Sequence, residues 1–175
     1  MSEPDERFPP VMGELPPIEI SRDLAFRDPA NAAAAAYWRA KCRDRPMPTR
    51  SAVDPAEMRA FLPHVGLIEV PDGSVARPDY RIRLAGSVIE EALGALTGRL
   101  LQEAVPPVIA RRWRQVYEVV VTDKVPIRAL TQVSFEAKNF LTAELFAAPL
   151  SEDGVRVDTL LVTLAFWSNT GSATA

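Results

Sequence analysis

At 175 residues the chain is long enough for one domain with a substantial hydrophobic core, and too short for two domains of ordinary size. Hydrophobic residues make up 47% of it and charged residues 25%, which are the values of a globular domain and exclude wholesale disorder. The formal net charge of −3 excludes an overall positive field, so we expect no nucleic-acid partner.

The first residues, Met1–Glu6, carry neither a basic cluster nor an apolar run, so they do not resemble a secretory signal. No stretch of about 18 apolar residues occurs, which predicts no membrane-spanning helix. The single cysteine, Cys42, can form no disulfide within the chain, which suits a reducing compartment. Together with one histidine, His64, it leaves too few ligands for a structural zinc site. We therefore expect a cytoplasmic protein without a metal ion or a membrane partner.

Residues 1–27 are predicted to form an extended arm, because prolines recur through this segment and forbid a continuous helix. Asp28 and Pro29 are typical of a helix start, with the aspartate as the cap and the proline in the first helical position. The alanine-rich helix that follows is expected to end before Pro46.

The middle of the chain is predicted to alternate short helices and strands, from capping signals and from the period of its apolar residues. The predicted elements are a short helix over 54–63, strands over 64–70 and 80–84, a short helix over 87–94 and a long amphipathic helix over 107–122. In the two short helices Glu57 and Glu90 stand three residues after Asp54 and Ser87, where a capping box places its glutamate.

Three strands are predicted near the C-terminal end, over Ile127–Phe135, Phe140–Leu150 and Arg156–Trp167, because these stretches are rich in Val, Leu, Thr and aromatics. Residues 169–175 are small and polar and are predicted to be a frayed tail. Two strands, short helices, one long helix and three final strands predict a single α+β domain with an antiparallel sheet over residues 28–168.

Several short motifs recur in a characteristic order along this pattern. They are Tyr37-Trp38, Pro48-Thr49-Arg50, Asp54-Pro55, Leu62-Pro63-His64, Arg83-Leu84-Ala85-Gly86 and Leu96-Thr97-Gly98. With these motifs and this succession of elements, the chain resembles the PAS-domain superfamily, and within it a bacterial subfamily of short, single-domain PAS-like proteins. The resemblance covers roughly residues 30–168.

The resemblance implies a five-stranded antiparallel sheet with short helices and one long helix on one face, plus an N-terminal helix that often contributes to a dimer. PAS domains sense small molecules, cofactors or redox state, or mediate protein contacts, and the fold alone does not decide among these functions. Flavin-binding members carry a reactive cysteine on a core helix, and haem-binding members usually carry a histidine near the long helix. Cys42 and His64 lie elsewhere, so we expect neither flavin nor haem.

Trp113 and Tyr117 lie one turn apart on the apolar stripe of the long helix, which faces the sheet in a PAS-like fold. An indole N–H and a phenol hydroxyl can orient a small ligand in an apolar pocket, so both are candidate ligand-binding residues, although plain core packing explains the same pair. Thr131, Thr142 and Thr163 line the same pocket if the strand register points them inward, which the sequence leaves open.

Two further pairs are candidate contacts with a second subunit or a signalling partner. Tyr37 and Trp38 are an aromatic pair on the first helix. Arg81 and Arg83 alternate with apolar residues and so share one face of their strand. The alternation favours the outer face, near a dimer contact, whereas an arginine that pointed into the pocket would indicate an anionic ligand.

These features predict a non-catalytic sensory or regulatory module that binds an unidentified small molecule in its core and signals through protein contacts, as a homodimer or with another protein. A ligand-free interaction or dimerisation module is the alternative. Exposed apolar residues on the first helix would favour that alternative, and an internal cavity would count against it. A small enzyme on a cone-shaped α+β scaffold is more remote, because the sequence shows no convergent titratable cluster around His64 or elsewhere.

Overall fold

Helices and strands alternate along the chain in the computed structural model, which describes residue 8, residues 15–135 and residues 139–168. In chain order they are β1 (Glu19–Ser21), α1 (Pro29–Cys42), β2 (Val65–Glu69), β3 (Arg81–Ala85), α2 (Ser87–Leu93), α3 (Leu101–Ala104), α4 (Pro107–Asp123), β4 (Ile127–Phe135), β5 (Asn139–Leu150) and β6 (Thr159–Ser168). Two 3₁₀ segments, Arg50–Ala52 and Leu62–His64, lie between α1 and β2. The predicted tail over 169–175 lies outside the described residues.

The strands form one antiparallel sheet in the order β1-β4-β5-β6-β2-β3. The last three strands are neighbours, so that Leu145 of β5 lies opposite Ala129 of β4 on one side and Leu164 of β6 on the other. β2 pairs with β6, and β3 closes that end of the sheet. The predicted α+β fold with an antiparallel sheet is thus confirmed.

The part of the chain that the structure describes has six strands in this sheet, where five were predicted. The additional strand is β1 from the N-terminal arm, which pairs with β4 and places Ile20 opposite Ala129. A three-residue strand is too short to show an alternating pattern, and it is stabilised by distant partners. Arg112 of α4 donates to the carbonyl oxygen of Pro16, and Arg22 pairs with Asp123 at the end of the same helix.

Helix α1 begins where its capping signal predicts. The Asp28 carboxylate accepts a hydrogen bond from the backbone N–H of Ala30 at 2.8 Å, and Pro29 occupies the first helical position. The buried side of the helix packs on one face of the sheet, where Trp38 joins a core cluster that includes Phe146 and Leu161. This face of the sheet is therefore covered by the chain itself.

Helices α2, α3 and α4 cover the opposite face of the sheet and enclose the larger core cluster. The long helix α4 confirms the predicted amphipathic pattern. Its buried residues recur every three or four positions and are Ala110, Trp113, Val116, Tyr117 and Val120. None of the described helices is long and apolar enough to cross a membrane.

The predicted short helix over 54–63 is not formed. The segment instead makes successive turns with hydrogen bonds between residues three apart, from the N–H of Glu57 to Asp54 and from Phe61 to Met58. Prolines at both ends leave too few residues for a regular helix. Neither predicted capping box forms, because Glu57 bonds the Tyr37 hydroxyl and Glu90 accepts from the N–H groups of residues 96 and 97.

Candidate ligand cavity under the long helix

An apolar cavity of about 30 Å³ lies between α4 and the sheet. β2, β3 and β6 form its floor, α2 and α3 form one side, and α4 covers it. Its walls are mostly aliphatic and include Ile82, Ile89 and Leu96, and Trp113 and Tyr117 of α4 also line it. The cavity therefore has the composition of a small-molecule site, with apolar walls and few polar groups.

The helical period brings the two aromatic residues of α4 together at this cavity. The rings of Trp113 and Tyr117 stack with their centroids 6.3 Å apart, and the Tyr80 ring packs against Tyr117 at 5.2 Å. Both Trp113 and Tyr117 are buried, as the sequence predicts. Their packing is consistent with a structural role as well as a ligand-binding one.

The Tyr117 hydroxyl makes no hydrogen bond to the residues that the structure describes, and neither does the Trp113 indole N–H. No fully enclosed polar side-chain atom in this part of the chain lacks a partner, so both groups border accessible space. Burial raises the pKa of Tyr117, and burial followed by the negative charge of Glu118 raises the pKa of Tyr80 to about 12. Both phenols are neutral at physiological pH, so the Tyr117 hydroxyl can donate to a ligand in the cavity.

A buried ion pair fixes α4 beside the cavity. Arg114 of α4 holds the carboxylate of Asp79 through two hydrogen bonds of 2.9 and 2.7 Å, and Asp79 also accepts from the N–H of Gln102 in α3. Burial alone would raise the pKa of Asp79, but these hydrogen bonds outweigh it and hold that pKa below its usual value. The pair therefore joins α3 and α4 to the start of β3.

The three threonines predicted to line the cavity do not reach it. Thr163 is buried on the opposite face of the sheet, where its hydroxyl donates to Asn31 of α1 at 2.6 Å. Thr142 alternates with residues of the core under α4, so it shares the α1 face. Thr131 does lie on the α4 face, but its hydroxyl accepts from Arg112 outside the cavity walls. The structure thus brings together only Trp113 and Tyr117 of the five predicted residues.

The aromatic pair on α1 is divided between the core and the surface. Trp38 is 7% exposed, and its indole N–H donates to the carbonyl oxygen of Pro149 at 2.9 Å. Tyr37 is half-buried, and its hydroxyl accepts from the N–H of Asp54 and contacts the Glu57 carboxylate. Trp38 therefore packs within the chain, and of this pair only Tyr37 presents part of its surface to solvent.

Arg81 and Arg83 lie on the outer side of the sheet edge, where the alternation in the sequence places them. Ile82 between them packs in the core under α4, so both arginines project to the other face. Both pair with the Glu69 carboxylate, at 3.9 Å and 3.3 Å. Neither reaches the cavity.

The single histidine and the single cysteine lie apart from the cavity. His64 Nδ1 lies 2.8 Å from the carbonyl oxygen of Leu164, which joins the start of β2 to β6. Burial raises the pKa of the Cys42 thiol at the end of α1, which disfavours the reactive thiolate. Within the described ranges no group of His, Cys, Asp and Glu could hold a metal ion.

A buried carboxylate on the α1 face is the main polar feature that the sequence analysis does not predict. Glu144 of β5 is fully buried and accepts hydrogen bonds from the N–H groups of Arg27 and Asp28, from the Asn31 amide and from Arg128. A charged residue inside an apolar strand is a sequence signal for such a site, because buried charges need partners. Its partners come from distant parts of the chain.

Comparison with known sequences gives the class of protein. The sequence profile of the PAS domain matches residues 26–165, and the chain therefore belongs to the PAS domain family. A similar solved structure is described as that of an RNA-binding light-oxygen-voltage receptor, with 16% sequence identity and a TM-score of 0.44. The match covers 66% of this chain and 33% of that one, so this chain spans about a third of the receptor chain's length. No curated protein matches the sequence.

Proposed function

We propose that this PAS domain is a regulatory module that takes a small, mostly apolar ligand into the cavity under α4. The cavity itself is the observation that supports the proposal, since it combines apolar walls with two donors, Trp113 Nε1 and Tyr117 Oη, that no described residue engages. A ligand with one or two acceptor atoms on an apolar frame matches these groups.

The size of the cavity determines how such a ligand enters. A volume of about 30 Å³ holds one or two water molecules, so a larger molecule fits only after a wall moves. The segment from α2 to α3 forms one of these walls. It is held to β3 by backbone hydrogen bonds of residues 98, 99 and 101 with Tyr80 and Ile82, and by Thr97, which bonds the N–H of Ala85. Movement of this wall therefore breaks these bonds. Opening and binding then form one equilibrium, and the ligand raises the population of the open form.

The arm provides a route by which such a change reaches a partner. Arg112 of α4 bonds both the Pro16 carbonyl and Thr131, and Asp123 at the end of α4 pairs with Arg22. A displacement of α4 therefore alters the contacts of the arm as well as those of the core. The domain would signal by changing which surface the arm and α1 present.

A ligand-free interaction module is the second candidate function, and the small volume of the cavity favours it. In that case the α2–α3 segment stays closed, and the cavity is a packing defect of ordinary size. The two candidates differ in whether a molecule occupies the cavity, which a cavity-filling substitution tests directly.

Replacing Val105 with isoleucine is expected to fill the cavity, because Val105 lines it and isoleucine adds one methylene group. The free energy of unfolding should stay within about 0.5 kcal/mol of the wild type or rise. Val120→Ile makes the same change on α4, where Val120 is fully buried and does not line this cavity. That control should lose about 1–3 kcal/mol through overpacking. Urea denaturation measures both; equal losses would show that no usable space lies beside Val105.

Native mass spectrometry of the purified chain then tests occupancy. We expect a mass excess that disappears on denaturation and that is reduced in Val105→Ile but retained in Val120→Ile. A spectrum without added mass, together with no NMR shifts at Trp113 or Tyr117 when cyclohexanone, an apolar ring with one carbonyl acceptor, is titrated as a probe, would reject ligand binding and leave the interaction module.

A further inference from the structure

A second pocket, of about 330 Å³, lies at the surface where α1 ends, outside the core. The last turn of α1 and the 3₁₀ segment that starts at Arg50 form its sides. This pocket, here named the basic pocket, is lined by Lys41, Cys42, Arg43, Arg45, Thr49, Ser51 and Ala52. Every charged side chain in this lining is basic, although the chain as a whole carries a net charge of −3. The basic pocket is therefore a local region of positive charge on an acidic protein.

The positive charge of the basic pocket is only partly compensated. Lys41 pairs with Glu57. Arg45 donates to the carbonyl oxygens of residues 151 and 152, at 3.3 and 3.1 Å, and these neutral acceptors leave its charge unbalanced. Arg43 is exposed, and no carboxylate of the described residues lies within salt-bridge distance of it. At least two guanidinium groups thus border the pocket without a salt bridge among the described residues, although, after the hydrogen bond from Lys41, the charge of Arg43 also helps to lower the pKa of Glu57.

The backbone at Arg43 adds an independent observation. Its φ of 50° and ψ of −120° are those of the first central position of a type II′ turn, and the N–H of Arg45 closes the turn on the Cys42 carbonyl at 2.8 Å. Glycine fits this position, because any side chain strains it. An arginine here costs folding stability, which is consistent with a function for its guanidinium group.

Basic residues near the end of a helix also complement the helix dipole, which offers a simpler explanation. That explanation accounts for Lys41, which lies in the last turn of α1. It also covers Arg43, the C-terminal cap of the helix, but it does not account for Arg45, which lies beyond the cap. On the opposite wall Thr49 caps the 3₁₀ segment and bonds the Ser51 hydroxyl. The lining as a whole is a set of cationic and neutral donors around one space.

We propose that the basic pocket binds a small molecule that carries a phosphate group. Arg43 and Arg45 offer the forked donors that suit phosphate oxygens, and Lys41 adds a third charge. The Thr49 and Ser51 hydroxyls bond each other at 3.0 Å, which leaves one hydroxyl hydrogen of this pair to donate from the facing wall. The volume accommodates a phosphate together with a modest organic group. This site lies apart from the cavity under α4, so its test is independent of the proposed core ligand.

Titration of the full chain with inorganic phosphate at constant ionic strength tests the proposal, with amide NMR shifts as the readout. We expect saturable shifts at Arg43, Arg45 and residues 49–52, and at least about tenfold weaker binding in Arg43→Gln. Arg111→Gln, which removes an exposed arginine from the outer face of α4, should bind phosphate as the wild type does.

Arg43→Gly separates binding from folding. Glycine relieves the strained turn, so the midpoint of thermal unfolding should rise by about 2–6 °C while phosphate binding is lost. Wild-type binding in Arg43→Gly or Arg43→Gln would overturn the proposal. Phosphate shifts that do not saturate, or that are as large around Arg111, would overturn it as well.

Discussion

Replacing Glu144 with alanine is expected to lower the free energy of unfolding by about 3–5 kcal/mol. The carboxylate is fully buried in β5 and pairs with Arg128 at 2.8 Å. It also accepts the N–H groups of Arg27 and Asp28, at 2.9 Å each, at the start of α1. Alanine would leave a half-buried guanidinium without its partner and two N–H groups without acceptors, and each such loss is costly.

Urea denaturation followed by circular dichroism measures this effect. Glu118→Ala is the matched control, because Glu118 is an exposed glutamate on α4, and it should change the free energy of unfolding by less than about 0.5 kcal/mol. Equal effects of the two substitutions would show that Glu144 does not anchor α1. Relative to the wild type, Glu144→Ala should accelerate amide hydrogen exchange more in α1 than in β5.

The same carboxylate predicts a dependence of stability on pH. Burial alone would raise the pKa of Glu144, but hydrogen bonds from Arg27, Asp28, Asn31 and Arg128 outweigh it and hold that pKa below its usual value. A carboxylate with a lowered pKa in the folded state stabilises the fold above its unfolded pKa and loses that contribution as the pH falls through the folded pKa.

The stability difference between the wild type and Glu144→Gln should therefore be constant from about pH 6 to 8 and shrink below about pH 4.5. Denaturation midpoints across this range measure it. Asp79 also has a lowered pKa, but it is present in both proteins, so its contribution cancels in the difference. A difference that persists unchanged at about pH 3 would contradict the assignment of a lowered pKa to Glu144.

The elements predicted correctly from the sequence are those with local signals. α1 has its cap and proline at residues 28–29, and α4 has a helical period long enough to fix the face that carries Trp113 and Tyr117. β1 has only three residues and is held by pairing with β4, more than a hundred residues later in the chain, so no local signal exists.

The predicted positions of the threonines depended on strand register, which sequence does not fix. A shift of one residue exchanges the two faces of a strand, and Thr163 faces α1 because β6 pairs with β2 in the observed register. The same limit applies to Glu144, whose polar partners on α1 lie more than a hundred residues earlier. The second face of the sheet is buried because α1 docks on it. That docking depends on contacts between distant parts of the chain, which a local sequence pattern does not reveal.

Replacing Trp38 with alanine is expected to lower the free energy of unfolding by about 3–5 kcal/mol, because the side chain fills the space between α1 and the sheet. Trp38→Phe keeps much of that packing and loses the hydrogen bond to the Pro149 carbonyl, which should cost about 1 kcal/mol in addition to the smaller ring. Tyr37→Phe is a neighbouring control on the more exposed side of α1. Urea denaturation and sedimentation at one protein concentration provide the measurements.

The result for Trp38→Ala distinguishes a contact between subunits from packing of α1 within the chain. If Trp38→Ala abolished a dimer without loss of stability, the indole would be a subunit contact, contrary to its burial against the sheet. The expected loss of stability would instead identify Trp38 and Glu144 as two attachments of one helix. Their costs should then fall short of additivity in Trp38→Ala/Glu144→Ala, because α1 that has already detached loses nothing more. The total loss in free energy of unfolding in that double variant then measures what the docking of α1 contributes to stability. A partner that displaces α1 from the sheet must supply at least this free energy.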